Sequence, residues 1–128
     1  MASKDKKKYK SKNIFQSFKY AFEGLVFGFK NTRNLQIDVC FVIVVTICGF
    51  IFKISLIEWV AVLLCFALVM SLELVNTAIE EAVNLAMPNI HPVAKISKDV
   101  AAGAVMMSAL MTVIVGIIIF LPKFIGLF

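Results

Sequence analysis

The sequence predicts an all-α integral membrane protein, with an N-terminal amphipathic surface helix followed by three transmembrane helices. Composition is the first ground. Of 128 residues, 61% are hydrophobic and 16% charged, whereas soluble domains average roughly 45–50% and about 25%. The mean hydropathy is +0.94. A chain this short has too little interior to hide so many apolar side chains, so much of its surface should face lipid. The second ground is three long apolar stretches. The third is charge placement: of 13 Lys and Arg residues, nine lie in residues 1–33, and Lys53, Lys95, Lys98 and Lys123 make up the rest. With 6 Gly and 3 Pro, neither a collagen-like nor a disordered chain fits.

Residues 1–13 read as a basic tail and 14–128 as a single membrane domain. Ile14, Phe15, Phe18, Phe22, Leu25, Val26 and Phe29 share one helical face, with Lys19, Glu23 and Lys30 off it. A helix over about 14–30 with aromatics on one side and cations on the other suits the membrane interface. Residues 31–34 (NTRN) break the apolar pattern and predict a turn. Spanning helices are expected at about 35–54, 58–84 and 97–121, each long enough for the roughly 20 residues a bilayer core requires. Trp59 falls at interfacial depth after a tight turn over 53–58, and Pro88, His91 and Pro92 mark the second connection.

The basic N-terminus sets the orientation: N-terminus cytoplasmic, first helix outward, second returning, third outward. Beside so much apolar sequence, the Lys-rich segment points to anionic membrane lipid and not to nucleic acid. Cys40, Cys48 and Cys65 sit inside apolar runs, without CxxC or a Cys/His cluster, and read as packing residues. No short apolar region with a small-residue cleavage site follows the basic stretch, so it does not read as a cleaved signal.

The second spanning segment carries the chemistry. At 100° per residue, Glu73, Asn76, Thr77, Glu80 and Asn84 fall within about 100° of one another, with Glu81 at the edge. Glu73 lies about 21 Å along the helix from Trp59, inside the cytoplasmic third of a core roughly 30 Å thick. A carboxylate at that depth costs on the order of 2–3 kcal/mol and is a functional candidate by default. It suits a general base for an alcohol at the membrane surface. Glu80, two turns on and wetter, suits a divalent cation that prefers oxygen ligands. The bland reading is that Asn76 and Thr77 join helices by hydrogen bonds. Lys98 and Asp99 read either as an interfacial cation and a helix-start acid, or as a phosphate-binding cation with a polar partner. His91, taken alone, reads as loop surface. No GxxxxGK[ST] loop and no protein-kinase signature is present.

Residues 73–80 (ELVNTAIE), His91 and 94–104 (AKISKDVAAGA) resemble the prokaryotic diacylglycerol kinase family. The likeness is greatest to its Gram-positive undecaprenol kinase branch. It extends to 20–24 (YAFEG) and to the Arg33-Asn34 turn, and so covers nearly the whole chain. The resemblance implies a homotrimeric kinase of the bacterial cell membrane that transfers the γ-phosphate of Mg-ATP to a lipid alcohol. Its active sites are expected to be shared between neighbouring chains. By matching position it implies Glu73 as catalytic base, Glu80 as Mg²⁺ ligand and Asn76 in support. Tyr20, Asn89, Ile90, His91, Lys98 and Asp99 would contact ATP. Two positions depart from the family pattern. Thr32 stands where the family usually has a second metal-binding Glu, and Asn84 stands where it often has an acid. Thr32 is neutral and shorter than a carboxylate, which weakens the expected metal set; Glu81, Asp38 or extra water could make it up. The acceptor reads as undecaprenol in preference to diacylglycerol. The competing readings are a small ion-coupled transporter and a catalytically weakened family member acting as an assembly subunit.

Overall fold

The computed structural model describes residues 13–126. Most of the expected basic tail therefore lies outside the described residues. Four helices follow one another: α1 (Ile14–Asn31), α2 (Arg33–Ile51), α3 (Leu56–Ala86) and α4 (Pro92–Phe124). The last three are each long and apolar enough to cross a membrane. α3 is central: it packs most extensively on α4 and also on α2, while α1 leans on α2 and α3.

Local chemistry sets each boundary. The Asn13 side chain caps α1 by accepting the Gln16 N–H at 2.9 Å. The expected turn over 31–34 contracts to Thr32 alone, which is extended at φ −105° and ψ 111°. Its backbone stays satisfied, with Thr32 N–H donating to Gly28 O at 2.9 Å and Gln36 N–H donating to Thr32 O at 3.3 Å. Gln36 Nε2 then reaches back to the carbonyls of Phe29 and Lys30 at 3.1 and 3.2 Å. One residue thus suffices to turn the chain from α1 into α2.

α2 ends in a Schellman arrangement. Ile54 N–H bonds Gly49 O at 3.1 Å, Lys53 N–H bonds Phe50 O at 3.4 Å, and Lys53 takes a left-handed φ of 51°. α3 begins with a capping box, in which Ser55 N–H donates to Glu58 Oε1 at 2.9 Å and Glu58 N–H donates to Ser55 Oγ at 3.2 Å. Lys123 Nζ, at the far end of α4, donates to Glu58 Oε2 at 2.7 Å. Beneath this ion pair sits the main apolar core, Ile54, Val62 and Ile119, packed by Trp59, Phe66 and Phe120.

The connection between α3 and α4 is shorter than the sequence suggests. α3 runs on to Ala86, and α4 starts at Pro92. Pro92 stands in the first turn, and His91 is the cap, its Nδ1 accepting the Val93 N–H at 3.1 Å. Ala101 is buried, whereas Gly103 faces open space. The small-residue run after Asp99 therefore packs through part of its length only.

Candidate active site

The stripe on α3 meets the junction of α1 and α2. Gly28 permits this approach: a Cβ there would lie 2.5 Å from Leu74 Cδ2. Leu35, fully buried, fills the space beside it. Thr32 Oγ1 and Thr77 Oγ1 then come within 3.2 Å and share a hydrogen bond. Thr77 Oγ1 also donates to Glu73 O at 3.0 Å, which holds its rotamer.

Between these elements opens a polar cleft of about 270 Å³, lined by Thr32, Arg33 and Asn34 on one wall and by Glu73, Asn76, Thr77, Glu80 and Glu81 on the other. Glu73 is 3% exposed and Asn76 8%. Glu73 Oε2 and Asn76 Oδ1 are buried without a hydrogen-bond partner. Asn76 Nδ2 donates to Glu80 Oε1 at 3.4 Å, a long bond, and Glu80 is exposed. Asn34 and Asp38, one turn apart on α2, both approach the Glu73 carboxyl. Asp38 Oδ2 is likewise buried and unpartnered. Orphaned buried acceptors are costly to keep and mark a place where a donor or cation arrives.

A second cleft, of about 290 Å³, lies farther along α3 and takes in Asn84, the connection and the start of α4, including Asn89, Ile90, His91, Lys98 and Asp99. Lys98 Nζ donates to Asn84 Oδ1, and so ties α4 to α3. Asp99 pairs with Lys95 one turn away, not with its neighbour Lys98. Of the residues expected from sequence, the structure brings Thr32, Glu73, Asn76 and Glu80 into the first cleft. Asn89, Ile90, His91, Lys98 and Asp99 line the second, and Tyr20, exposed on α1, lines neither. Arg33 and Asn34 line the first cleft and were given no role there from sequence; Asp38, named from sequence only as a substitute for the missing metal carboxylate, approaches Glu73 from the next turn of α2. Their signal was their position just after the α1–α2 break, which only the packing of α2 on α3 makes meaningful.

Residues 19–120 match the family described as prokaryotic diacylglycerol kinase. The chain belongs to the prokaryotic diacylglycerol kinase family. It is 44% identical over 110 residues to an undecaprenol kinase of Bacillus subtilis (strain 168), across 86% of this chain and 89% of that protein. A diacylglycerol kinase of Synechocystis sp. is 38% identical over 116 residues, across 90% of this chain and 66% of that protein.

In this diacylglycerol kinase family member, the first cleft offers only oxygen ligands on its α3 wall. Mg²⁺ takes one or two carboxylates and completes its shell with water and substrate phosphates. Glu80, the free Asn76 Oδ1 and the free Glu73 Oε2 fit that demand. Among the described residues, no group of three or more His, Cys, Asp or Glu could hold a metal unaided. A bound cation would need the nucleotide's own oxygens.

Proposed function

We infer that this chain is an ATP-dependent lipid kinase that phosphorylates a membrane lipid alcohol, undecaprenol in preference to diacylglycerol. One observation carries the reading: a buried carboxyl, Glu73, with an unpartnered oxygen facing a polar cleft between apolar helices, in a chain of this kinase family. The preference for undecaprenol follows the Bacillus subtilis relative, which matches at higher identity than the diacylglycerol kinase does.

The proposed transfer is an in-line displacement. The lipid hydroxyl oxygen bonds the γ-phosphorus as the bond from that phosphorus to ADP breaks. The hydroxyl proton passes to Glu73, which acts as general base. Glu80, with Asn76 beside it, would hold Mg²⁺, which when bound offsets charge on the nucleotide phosphates. Glu73 sits in the wall between lipid-facing helices, so a hydroxyl can reach it from the side while its tail stays among apolar residues. The exposed face of α1, with Phe15, Phe18 and Phe22, supports a place in the membrane interface. We assign the N-terminus to the cytoplasm on the charge bias of the sequence. Lys98, Asp99, His91, Asn89 and Ile90 would contact the nucleotide, with Tyr20 supplied along α1. Because Lys98, Asp99, His91, Asn89 and Ile90 line one cleft of the chain and Glu73 another, a homotrimer with sites shared between neighbours accounts best for the arrangement.

The test is transfer from labelled ATP, with Mg²⁺, to undecaprenol and diacylglycerol in parallel, using the full chain in mild detergent. The expected result is label in both or in undecaprenol alone, with undecaprenol faster. Faster transfer to diacylglycerol would overturn the preference. Label in neither lipid would overturn the kinase assignment, and ATP-independent cation flux in vesicles would replace it with a transporter.

A further inference from the structure

We propose that Arg33 and the start of α2 form the phosphoryl-binding wall of the Glu73 cleft. This rests on the kinase reading above and adds to it the group that holds the anion.

The two walls of the cleft differ in charge. α3 contributes Glu73, Asn76, Glu80 and Glu81, whereas the cation among the lining residues is Arg33. Arg33 is exposed. Among the described residues the ion pairs are Lys95–Asp99 and Lys123–Glu58, so Arg33 is not engaged by either glutamate across the cleft. A guanidinium held near carboxylates but unpaired is available to a ligand that comes between them. Its planar fork matches two phosphate oxygens at once.

The backbone adds to this. Thr32 is the N-cap of α2 but makes no side-chain cap bond, and the first turn holds no acidic residue. The Thr32 hydroxyl is turned instead to Thr77, at 3.2 Å. The positive end of α2, a helix of 19 residues, is thus left open toward the cleft, where an anion is favoured.

The opposite wall points independently to a ligand. Glu73 Oε2 and Asn76 Oδ1 are unpartnered in side chains 97% and 92% buried, taken as the complements of 3% and 8% exposure. These are acceptors, and they await a hydroxyl or a cation. A phosphoryl group against Arg33, with an alcohol or its divalent cation against α3, answers both walls. Lys98 cannot fill this place within the chain, since it lines the other cleft and is bonded to Asn84. The phosphate oxygens could belong to a nucleoside triphosphate or to an anionic lipid headgroup. The nucleotide is the assigned source, because the carboxylates opposite fit its accompanying cation.

The experiment uses the full chain in uncharged detergent with Mg²⁺, as wild type, Arg33→Lys and Arg33→Met. Binding of the β,γ-imido analogue of ATP and of AMP is measured for each, together with KM and kcat for transfer. A second series adds phosphatidylglycerol. The expected result is a loss of about tenfold or more in triphosphate affinity for Arg33→Met, partial recovery in Arg33→Lys and unchanged AMP binding. Unaltered triphosphate affinity in Arg33→Met would overturn the proposal. So would an equal loss for AMP, or a defect confined to the response to phosphatidylglycerol. The two readings fail separately. Arg33-dependent triphosphate binding without lipid phosphorylation would sink the kinase reading and leave this site standing. Lipid phosphorylation at wild-type KM and kcat in Arg33→Met would do the reverse. Arg33 is exposed and unpaired, so its variants are expected to elute and unfold as wild type does.

Discussion

Glu73 is held by its surroundings without being saturated by them. Its backbone carbonyl accepts from Thr77, Asn34 and Asp38 approach its carboxyl from α2, and Oε2 keeps no partner. Replacing it with Gln preserves shape and burial and removes the capacity to take a proton. Glu73→Gln is therefore expected to fold and assemble normally. A second prediction concerns Thr32, whose hydroxyl meets Thr77 at the rim of the cleft. Thr32→Glu adds a carboxylate beside Arg33 and Asn34, on a stretch of the cleft lining that has none. It should lower the Mg²⁺ concentration at half-maximal transfer several-fold, which a Mg²⁺ titration reads directly. An unchanged or higher requirement would mean that position 32 does not face the cation. Glu73, Asn76 and Glu80 were legible from the sequence because helical periodicity alone puts them on one side. Arg33 and Asn34 were not, and Asp38 was named only as a substitute ligand, because their meaning depends on which helix α2 lies against, a contact distant in sequence.

Glycine positions set how closely the helices approach. At Gly49 a Cβ would fall 2.5 Å from Trp59 Cη2 and 2.8 Å from Cζ2, and an indole ring cannot bend away. Gly49→Ala should cost about 1–3 kcal/mol by overpacking, measured as a lower unfolding midpoint in detergent; an unchanged midpoint would mean the ring shifts freely. At Gly28 the obstacle is a terminal methyl of Leu74, which can rotate. Gly28→Ala should therefore be milder than Gly49→Ala in the same assay. A bulkier Gly28→Ile should part α1 from α3 and lower transfer with little effect on the Ile54, Val62 and Ile119 core. The existence of three apolar helices was plain from hydropathy, since α2, α3 and α4 each contain a long run with few charges. Their ends were less plain. Pro92 and His91 looked like a loop, yet a proline in the first turn and an imidazole cap start α4 at that point. The NTRN break looked like a turn of four residues, yet the backbone bonds on either side of Thr32 let both helices run up to it.

At the scale of the molecule, the residues proposed for one reaction line two clefts that share no lining residue. If sites are completed by a neighbouring chain, two inactive variants with lesions in different clefts should rescue one another. Glu73→Gln and Lys98→Met, each inactive alone, should recover a fraction of transfer when co-expressed and co-purified. No recovery in mixed oligomers would place the whole site within one chain. The resemblance in sequence pointed to this sharing, and the separation of the clefts supplies a physical reason to test it. In the proposed mechanism Glu73 takes the proton of a lipid hydroxyl during phosphoryl transfer. The most direct measurement compares label transfer from ATP to undecaprenol by wild type and by Glu73→Gln, at matched protein and Mg²⁺. Wild type is expected to transfer label and the variant to lose about 10²–10⁴-fold in kcat, with nucleotide binding retained. Near-normal turnover by Glu73→Gln would contradict it.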